Sequence, residues 1–424
     1  MAFRIDDTMD SKIIAILVAA VIVVAGVAVF FLMGQNGSDR SDTPETKTFL
    51  DMSGNEVTMP EKIDAISVIG VGSLRVFCHL GLAEKICASD QLQNGATYGS
   101  NTYMYAYDEL WNKDEIKSAS DARQAVNLEK ILTSNKGEKP DVLAIVDTVA
   151  ENNRTVIDSI KKAGVTVFEI QSVQELMTSD GRISPLYEKQ LTRIGAAFGV
   201  PERAKQLIDG VNAIFDDVKG LTGSVSIDSY IGGLTVSSSR GLNITAPSYP
   251  PFILAGTKNI VQEGSPALDA GGTAAGVSVN IEQLSQIMDD KKNFKMFVDP
   301  ASWRLANGLC PGDLLISTTL ANLGITEGFV VTPFHSYGME YDNILVNCYI
   351  IAGELFDIDE KTIREKIDKV YELYYGKAAV NDKGVKLYDE MMQWYLEKSH
   401  CEFGKSVKFG VNEITMTDGT VLSG

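Results

Sequence analysis

The chain has 424 residues and a formal net charge of −18, with 56 acidic side chains against 38 basic ones. This acidity argues against a nucleic-acid-binding protein, because the phosphates would be repelled. Hydrophobic residues make up 45% of the chain, which fits globular domains with one membrane segment, and the length allows two domains plus an appendage.

The N-terminal segment predicts a membrane anchor. Residues 13–33 form an uncharged, largely apolar run, and a helix of that length spans the roughly 30 Å hydrocarbon core of a bilayer. The run is longer than the about 7 to 15 residues of a signal peptide's apolar region, which favours a retained anchor over a cleaved signal. Residues 1–12 are then expected in the cytoplasm, residues 34–45 form a flexible linker, and the bulk of this single-pass protein lies outside the cell.

Residues 46–181 are predicted to form an α/β lobe. A strand, a turn, a helix and a second strand follow one another near its start, and such a β-α-β unit implies a parallel sheet. The predicted elements are a hairpin at 46–60, strands at 63–70, 84–88, 142–147 and 165–170, and helices at 74–82 and 154–163.

An unusual concentration of aromatic residues lies between Gln91 and Asp121, in a stretch that is otherwise polar. The aromatic residues are Tyr98, Tyr103, Tyr105, Tyr107 and Trp111. They either pack the loop onto its domain or line a binding face, and the sequence leaves both alternatives open.

Residues 182–221 are predicted to be the helical connector of the protein. From Pro201 onwards, apolar residues recur at three-and-four spacing, which indicates one buried helix face. Gly199 suits a helix end and Pro201 suits a first helical turn. The connector is therefore two helices in line or one helix kinked near Gly199.

The segments on either side of the connector carry the same pattern. Asn127-Leu128-Glu129-Lys130-Ile131 precedes a short apolar strand ending at Asp147, and Asn280-Ile281-Glu282-Gln283-Leu284 precedes one ending at Asp299. Asn is a good helix N-cap, and the helix dipole favours a Glu in the first turn. Two such units in the same order predict two similar α/β lobes.

Residues 222–356 are predicted to form the second lobe, and residues 357–424 an appendage of helices and a hairpin. The predicted elements are strands at 226–234, 294–299 and 329–332 and helices at 252–255, 342–356, 361–375 and 383–398. Asp418-Gly419 lies between alternating residues, which predicts a terminal hairpin, and we consider the N-terminal hairpin as its partner.

The sequence does not predict an enzyme. Neither G-x-S-x-G nor H-E-x-x-H is present, and Gly70-Val71-Gly72 lacks the third glycine of a dinucleotide-binding loop. Of the three histidines, only His335 lies in a loop after a predicted strand, where α/β folds place their sites. The five cysteines form no C-x-x-C pair; Cys78 and Cys87 either pair or, as their apolar surroundings favour, remain buried free thiols.

Several short motifs in order resemble one protein family. They are Asp51-x-x-Gly54, Val57-x-x-Pro60, Leu80-Gly81-Leu82, Asn127-Leu128-Glu129-x-Ile131, Pro140-Asp141 and Asn280-x-Glu282-Gln283-Leu284. Over about residues 46–375 the chain resembles the substrate-binding proteins of ABC importers for iron chelates and cobalamin, and archaeal members in particular. The resemblance implies an α/β fold of two doubly wound lobes joined by one long helix. It also implies a monomer without a cofactor or catalytic residues, which works with an ABC permease and its ATPase.

The resemblance also implies roles for individual residues. Glu129 and Glu282 match the glutamates that dock onto permease arginines, and we expect them to be exposed, one on each lobe. Aromatic and polar side chains would contact a chelator in the cleft, and arginines would complement its oxygens. The ligand-binding candidates are Ser73, Tyr98, Tyr103, Tyr105, Arg123, Arg240, Tyr249, Trp303, His335 and Tyr337.

The expected ligand is an iron chelate of the siderophore kind, because the sequence lacks the set of Tyr, His and carboxylate residues that holds a bare ferric ion. No metal site is therefore expected in the protein itself. One alternative is a cobalamin, another corrinoid or haem carried by the same class of importer. An alternative from another class is a membrane-anchored sensor or receptor that uses the same lobes without a permease.

Overall fold

The structure is a computed structural model that describes most of the chain after the linker. The described residues are 47–92, 99–111, 117–120, 125–173, 175–223, 227–236, 239–262, 264–265, 276–289, 294–303, 309–334 and 340–424. Among these residues, no helix is both long enough and apolar enough to cross a membrane. The predicted cytoplasmic segment 1–12, anchor 13–33 and linker 34–45 lie outside the described residues, as do Tyr98, Arg123, His335 and Tyr337.

A five-stranded parallel sheet forms the first lobe, with the strand order β5-β4-β3-β6-β7. Its strands are short apolar runs, and every residue of β6 is buried, as expected for a parallel sheet covered on both faces. The predicted β-α-β unit and N-terminal hairpin are confirmed. The strands are β1 (Thr48–Leu50), β2 (Glu56–Thr58), β3 (Ile66–Ile69), β4 (Ile86–Ser89), β5 (Lys117–Ser118), β6 (Val142–Val146) and β7 (Thr166–Ile170).

The helices of this lobe include two that lie within the aromatic stretch, where the sequence showed little periodicity. Thr102–Ala106 and Asp108–Trp111 are short, and most of their side chains are buried, so tertiary packing rather than an amphipathic pattern stabilises them. The helices are α1 (Ser73–His79), α2 (Thr102–Ala106), α3 (Asp108–Trp111), α4 (Leu128–Leu132), α5 (Asp147–Asn152) and α6 (Arg154–Lys162).

The connector consists of two helices, α7 (Pro185–Ala197) and α8 (Pro201–Leu221). Each begins with a proline in its first turn, and Gly199 between them has φ 75°, a conformation that glycine adopts at little cost. The helices pack closely at Gly195, where a Cβ atom would lie 2.6 Å from that of Ala204. The predicted break near Gly199 is confirmed, and of the two alternatives the structure shows two helices.

A six-stranded mixed sheet forms the second lobe, with the order β17-β16-β15-β14-β13-β8. The strands β8, β13 and β14 are parallel, whereas β15, β16 and β17 continue the sheet in antiparallel pairing. The strands are β8 (Asp228–Gly232), β9 (Thr235–Val236), β10 (Ser239–Arg240), β11 (Ile244–Thr245), β12 (Val277–Ser278), β13 (Phe294–Val298), β14 (Glu327–Val330), β15 (Ser406–Gly410), β16 (Glu413–Thr415) and β17 (Val421–Ser423).

The pairing considered for the terminal hairpin is wrong. Strand β15 pairs with β14, while β1 and β2 form a two-stranded sheet of their own. The buried side chains Val407, Phe409 and Ile414 explain the difference, because they cover the edge of the second lobe's sheet. The last strands of the chain therefore belong to the second lobe.

Helices cover the second lobe and extend back to the first. In α12, every side chain from Tyr341 to Ala352 is buried, so this helix lies in the centre of the molecule. Arg203 on the connector donates hydrogen bonds to the carbonyls of His79 at the end of α1 and of Leu373 and Tyr374 at the end of α13. The helices are α9 (Pro250–Leu254), α10 (Ile281–Asp289), α11 (Pro311–Asn322), α12 (Tyr341–Phe356), α13 (Glu360–Tyr375) and α14 (Leu387–Ser399).

Candidate functional site

The turn between β3 and α1 lies where open α/β sheets bind ligands. The strand order reverses between β3 and β6, and ligands of such sheets lie at the carboxyl ends of the strands at this point. Gly70, with φ 106°, approaches the end of β6 so closely that a Cβ atom would lie 2.4 Å from Val146. The backbone N–H and hydroxyl of Ser73 both donate to the Gly70 carbonyl, at 3.1 and 2.7 Å. Ser73 thus closes the turn.

A buried ion pair joins the two lobes next to this turn. Arg75 lies in the first turn of α1, after β3, and Glu340 lies directly before α12, after β14. Arg75 Nη2 is 3.4 Å from Glu340 Oε1, and the side chains are only 2% and 1% exposed. The segments that follow one central strand of each sheet therefore meet at this pair, which we call the interlobe pair.

Polar groups of the first lobe surround the interlobe pair. Ser100 donates a hydrogen bond to Glu340 Oε1, and Asn101 Oδ1 accepts one from Arg75 Nη2 at 2.8 Å. The ring of Tyr103 lies 5.3 Å from the guanidinium carbon. Burial is the largest single effect and lowers the pKa of Arg75, but the acidic groups around it, Glu340 foremost, together outweigh burial, so the pKa is raised above its ordinary value. The guanidinium is therefore a fixed positive charge between the lobes.

A series of hydrogen-bonded side chains lies beside the interlobe pair. His79 Nε2 is 3.0 Å from the Tyr375 hydroxyl, which in turn donates to Asp342 Oδ2 at 2.7 Å. Burial lowers the pKa of His79 well below its ordinary value, and the charges of Arg75 and Arg203 lower it further. His79 is therefore neutral. The hydrogen-bonded side chains link α1 of the first lobe to α13 and α12.

The predicted ligand residues Tyr103 and Tyr105 are buried in the first lobe. The Tyr105 hydroxyl donates to the Gly99 carbonyl at 2.9 Å. Tyr103 packs edge-on against Trp111, which donates from its indole nitrogen to the Tyr103 carbonyl at 3.0 Å. Both tyrosines pack the aromatic stretch onto its domain, which was the first of the two alternatives. Tyr103 also contacts Arg75 and therefore lies beside the interlobe pair.

The predicted ligand residue Tyr249 lies in the core of the second lobe. It is 1% exposed, its hydroxyl accepts a hydrogen bond from Asn347 Nδ2 at 2.9 Å, and its ring contacts Phe252 and Phe334 edge-on. Burial raises the pKa of the Tyr249 phenol well above its ordinary value. The described contacts are therefore those of a packed core residue.

The predicted residues Trp303 and Arg240 are brought together by Asp313. The indole nitrogen of Trp303 donates to Asp313 Oδ2 at 2.9 Å, and Trp303 is 2% exposed. Arg240 is half-buried, its charge lies near Asp313, and Nη1 donates to the Ser302 carbonyl at 3.4 Å. Burial raises the pKa of Asp313 above its ordinary value, although hydrogen bonds from Leu242, Cys310 and Trp303 oppose the rise. Arg240 thus provides a partly accessible positive charge on the second lobe.

The two predicted docking glutamates occupy equivalent positions. Asn127 caps α4 through its side-chain oxygen, which accepts from the Lys130 N–H at 3.0 Å. Asn280 caps α10 in the same way, accepting from the Gln283 N–H at 3.1 Å. Both Glu129 and Glu282 are exposed, one before β6 of the first sheet and the other before β13 of the second. Both glutamates are therefore exposed, one on each lobe, and their docking role stays a prediction.

Sequence reasoning missed Arg75 and Glu340. A signal was present for Arg75: it lies four residues before His79 in the run Leu74-Arg75-Val76-Phe77-Cys78-His79, so both polar side chains lie on one face of an otherwise apolar helix. Glu340 gave no such signal, because its partner is 265 residues away in the sequence.

The cysteines contain no disulfide. All five are free, and all except the partly buried Cys87 are buried. Burial raises the pKa of Cys310 to about 11. Of the two cysteines expected to be buried free thiols, Cys78 is buried and Cys87 is only partly buried. Among the residues that the structure describes, no group of His, Cys, Asp and Glu is arranged to hold a metal ion.

Comparisons with known proteins show the fold. No protein-family model matches the chain, and no curated protein matches its sequence. The molybdate periplasmic binding protein of a Haemophilus influenzae ABC transporter, solved with molybdate bound, matches 78% of this chain and 98% of its own at 15% identity and a TM-score of 0.51. A periplasmic solute-binding protein from Veillonella parvula matches 78% of this chain and 93% of its own at 15% identity and a TM-score of 0.50. The chain therefore has the two-lobed α/β fold of ABC-transporter solute-binding proteins.

Proposed function

We propose that this chain is the extracytoplasmic solute-binding protein of an ABC importer. In this proposal it holds a metal chelate between its lobes and delivers it to a membrane permease, which a partner ATPase drives. The observation that carries the proposal is the pair Glu129 and Glu282. They are exposed, they follow Asn caps of the same geometry, and each belongs to one of two lobes of the solute-binding fold.

This arrangement suits a partner with two symmetry-related subunits. Two like charges at equivalent positions on two lobes can each meet a basic residue on one subunit, and such contacts steer association and weaken with salt. Residues 13–33 would anchor the protein to the membrane with its bulk outside the cell, and one copy of the chain would serve one permease.

The proposed ligand is an iron chelate of the siderophore kind. The chain contains only three histidines and no paired cysteines, which favours a preformed chelate over a bare ion. Aromatic rings and the charges of Arg75 and Arg240 lie near the strand ends, where they suit a chelator with an apolar body and anionic oxygens. Haem and corrinoids are alternatives of the same class, and molybdate deserves testing because the Haemophilus protein was solved with it.

Uptake by the native host tests the proposal. Glu129→Ala combined with Glu282→Ala should abolish uptake of the radio-iron-labelled chelate that the wild-type protein binds, while leaving affinity in solution unchanged. A matched control is Glu151→Ala with Glu327→Ala, which removes one exposed glutamate from each lobe elsewhere. Normal uptake by the first double variant would contradict the proposal and favour a membrane-anchored sensor, which needs no permease.

A further inference from the structure

The guanidinium of Arg75 is buried without a full set of partners. It is 2% exposed, and both of its described hydrogen bonds, to Asn101 and Glu340, use the same nitrogen, Nη2. Its Nε has no acceptor in the part of the chain that the structure describes. Buried donors of native proteins are nearly always paired, so an unpaired one on a charged group points to a partner that binds there.

Glu340 is not the missing acceptor for Arg75 Nε. Its contact with Arg75 is single and long, at 3.4 Å, and the same oxygen already accepts a hydrogen bond from Ser100. Arginine usually binds a carboxylate through two parallel hydrogen bonds of about 2.7 to 2.9 Å. The fork of Arg75 is therefore available to an oxyanion that approaches its Nε edge.

The location suits a ligand rather than a structural ion. Arg75 follows the β3 turn at which the strand order reverses, and Glu340 reaches it from the segment that follows β14 of the other lobe. Because both side chains are almost fully buried, an anion would reach Arg75 only if the lobes separated along this pair. Binding of the anion would then replace the Glu340 contact.

We propose that Arg75 binds an anionic oxygen of the ligand and that Glu340 is the counter-ion that the ligand replaces. This inference rests on the proposed function and narrows its substrate class. The ligand carries a carboxylate or another oxyanion, as in a ferric carboxylate chelate, haem with its propionates, or molybdate. Neutral ferric hydroxamate chelates lack a free oxyanion of this kind.

Equilibrium titration of the full chain in mild detergent tests this inference. The probes are ferric citrate, haem, molybdate and a neutral ferric trihydroxamate, and the readout is tryptophan fluorescence, since Trp111 packs against Tyr103 next to Arg75. For the anionic probe that binds, Arg75→Gln should weaken affinity at least tenfold, whereas Glu340→Gln, which removes the competing charge, should tighten it several-fold. Arg154→Gln should leave the affinity unchanged, because Arg154 is a half-exposed arginine that pairs with a different glutamate of the same lobe, Glu169.

The outcomes separate this inference from the proposed function. Binding of only the neutral trihydroxamate, or an unchanged affinity in Arg75→Gln, would overturn the role of Arg75 and leave a chelate-binding protein. If folded wild-type protein binds none of these probes, and neither a ferric catecholate nor cobalamin, both the inference and the proposed function are overturned. If Arg75→Gln fails to fold, Glu340→Gln decides the question: unchanged or weaker binding of the anionic probe would overturn the inference.

Discussion

His79 on the first helix and Tyr375, 296 residues later, are joined by a buried contact of 3.0 Å between the imidazole Nε2 and the phenol oxygen. The contact makes the end of α13 part of the first lobe's core, although α13 lies in sequence between strands β14 and β15 of the second lobe. Arg203 reinforces it from the connector. Stability of the whole two-lobed unit should therefore respond to changes at this junction.

The first prediction concerns pH. Burial keeps the pKa of His79 well below its ordinary value of about 6.5, so the folded protein holds His79 neutral while the unfolded chain protonates it. Below about pH 6.5 the unfolded state binds the extra proton, and the free energy of unfolding should fall by up to about 1.4 kcal/mol per pH unit. Urea unfolding between pH 5 and pH 7.5 measures this slope.

A variant isolates the contribution of His79 from that of the carboxylates. His79→Gln retains a donor near Tyr375 but cannot take up a proton in this range. The difference in the free energy of unfolding between wild type and variant should therefore shrink as the pH falls. An equal pH slope in both proteins would show that His79 does not titrate as its burial implies.

The second prediction concerns Arg203. Its side chain donates to three backbone carbonyls at the ends of two helices, and hydrogen bonds from charged groups to such acceptors stabilise more than neutral ones. Arg203→Gln should lower the free energy of unfolding by about 2 to 3 kcal/mol. The exposed Arg182, paired with Asp180, is the matched control, and Arg182→Gln should cost less than about 1 kcal/mol. Equal losses of unfolding free energy in the two variants would contradict the proposed role of Arg203 in joining the ends of α1 and α13.

The third prediction tests the β3 turn. Gly70→Ala places a methyl group 2.4 Å from Val146 and also forces a positive φ, so it should destabilise the protein by more than about 2 kcal/mol. Gly54→Ala has a similar φ of 86° but no atom within 4 Å, so it should cost only about 1 kcal/mol. Thermal unfolding compares the two variants, and a smaller effect at Gly70 would show that the turn does not pack as described.

The fourth prediction concerns the end of the chain. Removal of residues 401–424 exposes the β14 edge and deletes buried residues such as Val407 and Ile414, so the protein should aggregate or lose cooperative unfolding. A chain that ends at Asp418 loses only the edge strand β17 and should stay folded. Circular dichroism and size-exclusion chromatography read both results. An unchanged melting temperature of the chain that lacks residues 401–424 would contradict the assignment of β15 to the second lobe.

The features that the sequence predicted are local ones. The buried strand β6, the break at Gly199 and the caps at Asn127 and Asn280 depend on neighbours within one turn or one strand. Helix α11 was missed, because Ser and Thr residues interrupt its apolar positions and no amphipathic period results. Pairing between distant segments, as in β14 with β15, has no local pattern.

The candidate site was predictable only in part, for the same reason. Exposure of Glu129 and Glu282 follows from their position in the first turn of capped helices. Aromatic residues such as Tyr249 and Trp303 suit a core as well as a cleft, so composition alone could not locate them. The interlobe pair depends on a contact between segments 265 residues apart, which only the folded chain shows.

The measurement that tests the central claim most directly is equilibrium dialysis of the full chain against radio-labelled ligands. The panel contains ferric carboxylate, catecholate and hydroxamate chelates, haem, cobalamin, molybdate and bare ferric ion. We predict saturable binding of one chelate per chain at micromolar or lower concentration, with bare ferric ion not retained. Retention of no member of the panel by protein that circular dichroism shows to be folded would contradict the account.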